Sequence, residues 1–155
     1  MRRRTLFASA LLVLSALAAL PRAHAQEGML SVPSPHDVPT TVERLETALA
    51  GKGMTVFARI DHADGAEQAG LPLPPTEVIV FGNPEVGTPL MQCRRSIAID
   101  LPQKMLVWED ESGATRVGWN DPAYLRSRHG IEGCDEELER VSAALEAFAK
   151  AATAE

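Results

Sequence analysis

The sequence predicts an α+β domain, with a mainly antiparallel sheet and a terminal helix packed across it. Three observations lead there. Strand-like and helix-like segments do not alternate regularly, as a parallel α/β sheet would require. Residues 105–119 read as two strands joined through Ser112-Gly113, which is an antiparallel hairpin. Leu138, Val141, Leu145 and Phe148 recur at spacings of three, four and three. Such a stripe lies on one helix face and needs an apolar surface to cover.

Taken in order, Met29 to Val32 starts a strand, and Pro33, Pro35 and Pro39 punctuate the turn after it. Val38, Val42, Leu45 and Leu49 then share one face of a helix. Thr40 and Glu43 fit a capping box at its start, and Gly51 and Gly53 stop it. Met54, Val56, Ala58 and Ile60 alternate with Thr55, Phe57 and Arg59, which predicts a strand with one side in a core. Asp61 to Gly70 is a short helix or structured loop, and the prolines of residues 71–75 impose an extended connection. Val78 to Phe81 is continuously apolar, as in a central strand buried on both faces. Gly82-Asn83-Pro84 turns the chain into a helix over Glu85 to Arg95. Asp121 and Pro122 open a short helix that Gly130 ends, and Asp135 caps the last one.

Residues 1–25 read as a secretory signal peptide. Arg2, Arg3 and Arg4 precede an uncharged apolar run from Leu6 to Leu20, and Ala23-His24-Ala25 is a small-x-small cleavage site. The run is short for a membrane anchor, which needs about 20 residues. The arginines are similar to a twin-arginine signal, but a general signal needs them too. Cleavage after Ala25 leaves residues 26–155 as a single domain, periplasmic or secreted, with no membrane attachment. It removes four arginines and no acid, leaving 11 basic against 21 acidic residues, a formal charge of −10. That balance excludes a nucleic-acid binder, which needs a basic face.

Cys93 and Cys134 read as a disulfide in an oxidising compartment, the alternative being two separate buried thiols. Among groups that carry chemistry, Asp61-His62 stands at a strand end, where a carboxylate can orient an imidazole. The other reading has Asp61 capping the next helix with His62 on its surface. His129 ends a helix, where its cation suits the dipole. Were His62 and His129 to converge with Met91 or Glu109, copper or zinc could bind; no ligand spacing supports this, and no metal or cofactor is expected. Asn83 sits at a strand-to-helix junction, where amides can hold an anion or Asn can simply bond local backbone. Trp108, Trp119 and Tyr124, with Phe57 and Phe81, form either core or the lining of a small apolar site. Nothing marks a nucleophile: there is no Gly-x-Ser-x-Gly elbow.

Several blocks are familiar together. They are Gly53-Met54-Thr55-Val56-Phe57-Ala58-Arg59-Ile60-Asp61-His62-Ala63, Phe81-Gly82-Asn83-Pro84, and Gly87 to Gln92. Ile99-Asp100-Leu101-Pro102, Val107-Trp108-Glu109-Asp110, Asn120 to Leu125 and Arg128-His129-Gly130 follow. In this order they resemble the family called domain of unknown function 302, from about Met29 to Phe148. The resemblance implies a curved antiparallel sheet gripped by helices, TATA-binding-protein-like, and no activity. The sequence departs from the family pattern at Cys93-Arg94-Arg95-Ser96, so a disulfide would be a local addition.

The functional expectation is therefore a non-catalytic exported domain that binds a small molecule or a partner protein, with a homodimer expected as for many small domains. The alternative is a small cofactor-free enzyme or metal-binding protein using His62 or His129. If Asp61, His62, Asn83 and His129 line one cleft, that alternative gains; if they scatter, it loses.

Overall fold

The computed structural model describes residues 28–155. The leader expected over residues 1–25 and its cleavage site lie outside them. Five strands form one antiparallel sheet: β1 Met29–Pro33, β2 Thr55–Asp61, β3 Thr76–Gly82, β4 Gln103–Glu109 and β5 Thr115–Asn120. Their order across the sheet is β1-β5-β4-β3-β2. The helices are α1 Val38–Ala50, α2 His62–Gln68, α3 Pro84–Cys93, α4 Pro122–His129 and α5 Asp135–Ala152, with a 3₁₀ turn at Arg95–Ile99. The α+β class with an antiparallel sheet is as expected.

The core lies between the sheet and helices α1 and α5. Ile79 and Phe81 from β3, Met105 and Val107 from β4, and Val117 and Trp119 from β5 point to one side. Val42, Leu45 and Leu49 of α1 and Val141, Leu145 and Phe148 of α5 meet them. Both expected helical stripes are buried as their spacing required. The Phe148 ring meets Phe81 edge-on, centroids 5.8 Å apart at 86°, a favoured aromatic geometry.

Some local expectations need correction. The α1 cap is Asp37, whose carboxylate accepts from the Thr40 amide at 2.9 Å. Thr40 is therefore inside the helix, and Pro39 fits its first turn because no donor is needed there. At α5 the cap is Cys134, with Asp135 the first helical residue. β3 is not buried on both faces: its burial alternates, and Thr76, Val78, Val80 and Gly82 are only half-buried. β2 does not keep a simple alternation either. Its pairing with β3 runs from Val56↔Phe81 to Ala58↔Val80, so Phe57 is the extra residue of a β-bulge. The bulge reverses the phase. Arg59 thereby joins the helix-covered side opposite Ile79, while Ala58 and Ile60 join Val80 and Val78 on the other.

On that side Arg59 makes an ion pair. Glu77 is buried, and its carboxylate accepts from Arg59 Nε at 2.5 Å. This hydrogen bond raises the guanidinium's pKa further above its already high ordinary value. Arg59 also lies 3.7 Å from Glu46 of α1. The edge strand is thus tied to the helix layer by charge where apolar burial is thin.

Candidate functional site

A pocket of about 680 Å³ opens between α3, α5 and the end of the sheet where β2, β3 and β4 come together. That volume is typical of a small-molecule site. Its floor is Phe81, Leu145 and Phe148; Leu90 and Met91 of α3 form one wall. Ala143, Ala144 and Ala147 of α5 form another, and their small side chains leave the space open. Across the mouth lies Phe57, 55% exposed. The bulge aims Phe57 there, and Gly82 makes room for it, since a Cβ on Gly82 would stand 3.4 Å from the Phe57 ring. The polar lining is sparse: Lys52, Asn83, Thr88, Gln103 and Arg140.

A covalent brace joins the two walls. Cys93 at the end of α3 is bonded to Cys134 at the start of α5, with Cα atoms 6.4 Å apart. The disulfide therefore fixes the separation of the helices between which the pocket opens. With Glu137, these cysteines are the group of three His, Cys, Asp or Glu side chains brought together among the described residues, but both sulfurs are already used in the bond.

The residues singled out by sequence do not meet in one cleft. Asp61 caps α2 by accepting from the Asp64 amide at 2.9 Å, and His62 is the exposed first residue of that helix. Asp61 also borders a shallower, acidic depression shared with Asp64 and Glu67. Asn83 caps α3, accepting from the Glu85 amide at 2.8 Å, and lines the pocket, as does Met91. Glu109 is exposed at the end of β4. Trp108 lies against Gly118, where a Cβ would come within 2.9 Å of its ring. Tyr124 stacks on Gly28, and Trp119 is core. Of the five aromatics, only Phe57 and Phe81 reach the pocket.

His129 belongs to a separate construction that spacing did not reveal. It is buried at the end of α4, between the Ser96 hydroxyl, 3.0 Å from Nδ1, and the Asp100 carboxylate, 2.5 Å from Nε2. Arg128 donates to the other Asp100 oxygen at 3.2 Å. Gly130 ends the helix at φ +57°, so the chain turns away immediately after the imidazole. One carboxylate thus receives two consecutive side chains of α4 and pins them to the 3₁₀ turn. Ser96, Asp100 and His129 do not line the pocket.

A family model described as "Domain of unknown function DUF302" matches residues 30–148. The chain belongs to the DUF302 family. A solved DUF302 structure, that of an uncharacterized conserved protein from Bacillus stearothermophilus, superposes with a TM-score of 0.74. At 20% identity it covers 82% of this chain and 99% of that one, and it shows the shared fold. A protein of Brucella suis biovar 1 (strain 1330) named "Fluoride-specific ion channel FluC 1" is 51% identical over 104 residues, which is 67% of this chain and 41% of that protein. The "Fluoride-specific ion channel FluC 2" of Brucella melitensis biotype 1 matches at the same identity over 38% of its length. This DUF302 chain therefore spans about two fifths of the curated relatives it matches.

Proposed function

We propose that this DUF302 domain is a non-catalytic binding module that holds a small apolar or amphipathic molecule in the pocket between α3 and α5. One observation carries the reading: about 680 Å³ of space walled by aliphatic and aromatic side chains, with its few polar groups among them. Apolar pockets with a few convergent polar groups are the usual form of small-molecule sites. The test uses a neutral, environment-sensitive dye, N-phenyl-1-naphthylamine. Its fluorescence should rise on mixing with the protein, and Ala144→Trp, which fills the space from α5, should abolish the rise. No enhancement with the unaltered protein, or full enhancement with A144W, would sink the reading.

Fluoride conduction is not proposed for this domain. The channel names belong to proteins of which it spans about two fifths. Among the described residues no helix is long and apolar enough to cross a membrane.

A second reading, a small cofactor-free enzyme, has the Ser96–His129–Asp100 chain in its favour. An imidazole held between a hydroxyl and a carboxylate is an acid–base unit. A fluorophosphonate probe checks it. A covalent adduct on Ser96, lost in His129→Gln, would establish a nucleophile; an unmodified chain leaves His129 as a strut between α4 and the 3₁₀ turn.

A further inference from the structure

The pocket's charge is at odds with that of the chain. The protein carries 21 acidic and 15 basic residues, yet the charged side chains lining the pocket are Lys52 and Arg140, and no carboxylate is among them. Lys52 comes from the turn between α1 and β2, and Arg140 from α5, so two separate elements each bring a cation to the same space. Neither makes an ion pair among the described residues. Elsewhere Arg59 pairs with Glu77, Arg116 with Asp110, Arg126 with Asp135 and Arg128 with Asp100, and Arg44 and Lys104 donate to backbone carbonyls, while Arg94, Arg95 and Lys150 also stand outside the ion pairs of the described residues.

Resting on the binding reading above, we infer that the ligand is a single-chain amphiphile with an anionic head, its apolar tail between α3 and α5 and its head against Lys52 and Arg140. The tail removes apolar surface from water, which is the larger part of the affinity. The head adds charge-assisted hydrogen bonds from two cations. Asn83, Thr88 and Gln103 supply further neutral partners at the pocket. The shared chemistry is a monoalkyl anion, and a carboxylate and a phosphate head are its two sources.

Three probes of equal tail length separate the terms: tridecanoate, dodecyl phosphate and dodecan-1-ol, each below its micellar concentration, titrated against the purified protein by displacement of the neutral dye. The expected result is that at least one anion binds about ten-fold tighter than the alcohol. The double variant Lys52→Glu, Arg140→Glu should erase that advantage, bringing the anions to the alcohol's affinity or below it. Both side chains are exposed, so the variant should fold, which an unchanged unfolding midpoint verifies. Whichever anion binds more tightly identifies the head. Equal affinity for all three probes, or an anion preference that survives the double variant, overturns the inference while leaving the apolar pocket standing. If no probe binds and the dye gives no signal, the binding reading itself has failed.

Discussion

Single carboxylates do much of the local organisation. Asp100 receives His129 and Arg128 together, and Asp100→Asn keeps its volume while removing the charge that holds both. Hydrogen bonds to charged groups contribute about 2 kcal/mol each, neutral ones about 1. Asp100→Asn should therefore lower stability by about 2 kcal/mol and Ser96→Ala by about 1, read as a lower urea midpoint at unchanged slope. An Asp100→Asn protein as stable as the parent would show that α4 is held by packing alone. Asp37 gives a pH prediction. Hydrogen bonds from the Thr40 side chain and amide hold its carboxyl below the ordinary 3.8. A group with a depressed folded pKa contributes stability that is complete above its unfolded value and disappears as pH falls through the folded one. Asp37→Asn keeps a capping side chain and removes only the charge, so it should be less stable than the parent near neutrality by the charge's share alone. Its stability should approach that of the parent as pH drops below 3.8, and an undiminished gap in acid titrations would refute this. Asp61, Asn83 and Asp121 were legible as caps because Asx side chains bond amides two or three residues on. The His129 partnership was not, since Ser96 and Asp100 lie 33 and 29 residues away and only the fold brings them together.

At the scale of elements, the sequence was readable wherever one element's own periodicity decides its burial. The stripes of α1 and α5 are such cases. It misled in β2, where seven residues alternate on paper but the ladder skips Phe57. A bulge depends on the partner strand, so its signal is not in the strand itself. The pocket wall on α5 was legible in principle: Arg140, Ala144 and Ala147 recur at four and three residues beside the buried stripe. Small residues flanking a helical core face leave a cleft only if the neighbouring helix stands off, and the sequence of α5 alone cannot specify that. Register also explains Gly118. It sits between Ser31 of β1 and Leu106 of β4, under the Trp108 ring, with the Leu30 carbonyl 3.3 Å from where a Cβ would be. Gly118→Ala should displace the indole and cost about 1–3 kcal/mol as an overpacked site. A shift in tryptophan emission should accompany the loss. An alanine variant with parental emission and stability would mean that the ring moves aside without cost.

For the whole molecule, the disulfide connects folding, compartment and site. Cys93 and Cys134 are 41 residues apart, and closing a loop of that length removes unfolded-state entropy equivalent to about 4 kcal/mol in the chain-entropy model. Most small domains have only 5–15 kcal/mol in total, so such a bond is a large fraction of the margin. The double variant Cys93→Ser, Cys134→Ser should lose about that much. Because the bond joins the C-terminus of α3 to the N-terminus of α5, the same variant should also bind the neutral dye more weakly at temperatures where it is still folded. Equal dye affinity with reduced stability would confine the bridge to folding. The bond forms and persists in an oxidising compartment, and that joins it to the export proposal made from residues 1–25. Protein isolated from its native host without reductant should begin at Gln26 and weigh two hydrogens less than the free-thiol chain. A chain that retains Arg2 to Arg4 with both thiols free would place the domain in the cytoplasm. It would also leave the walls of the pocket without their brace under native conditions.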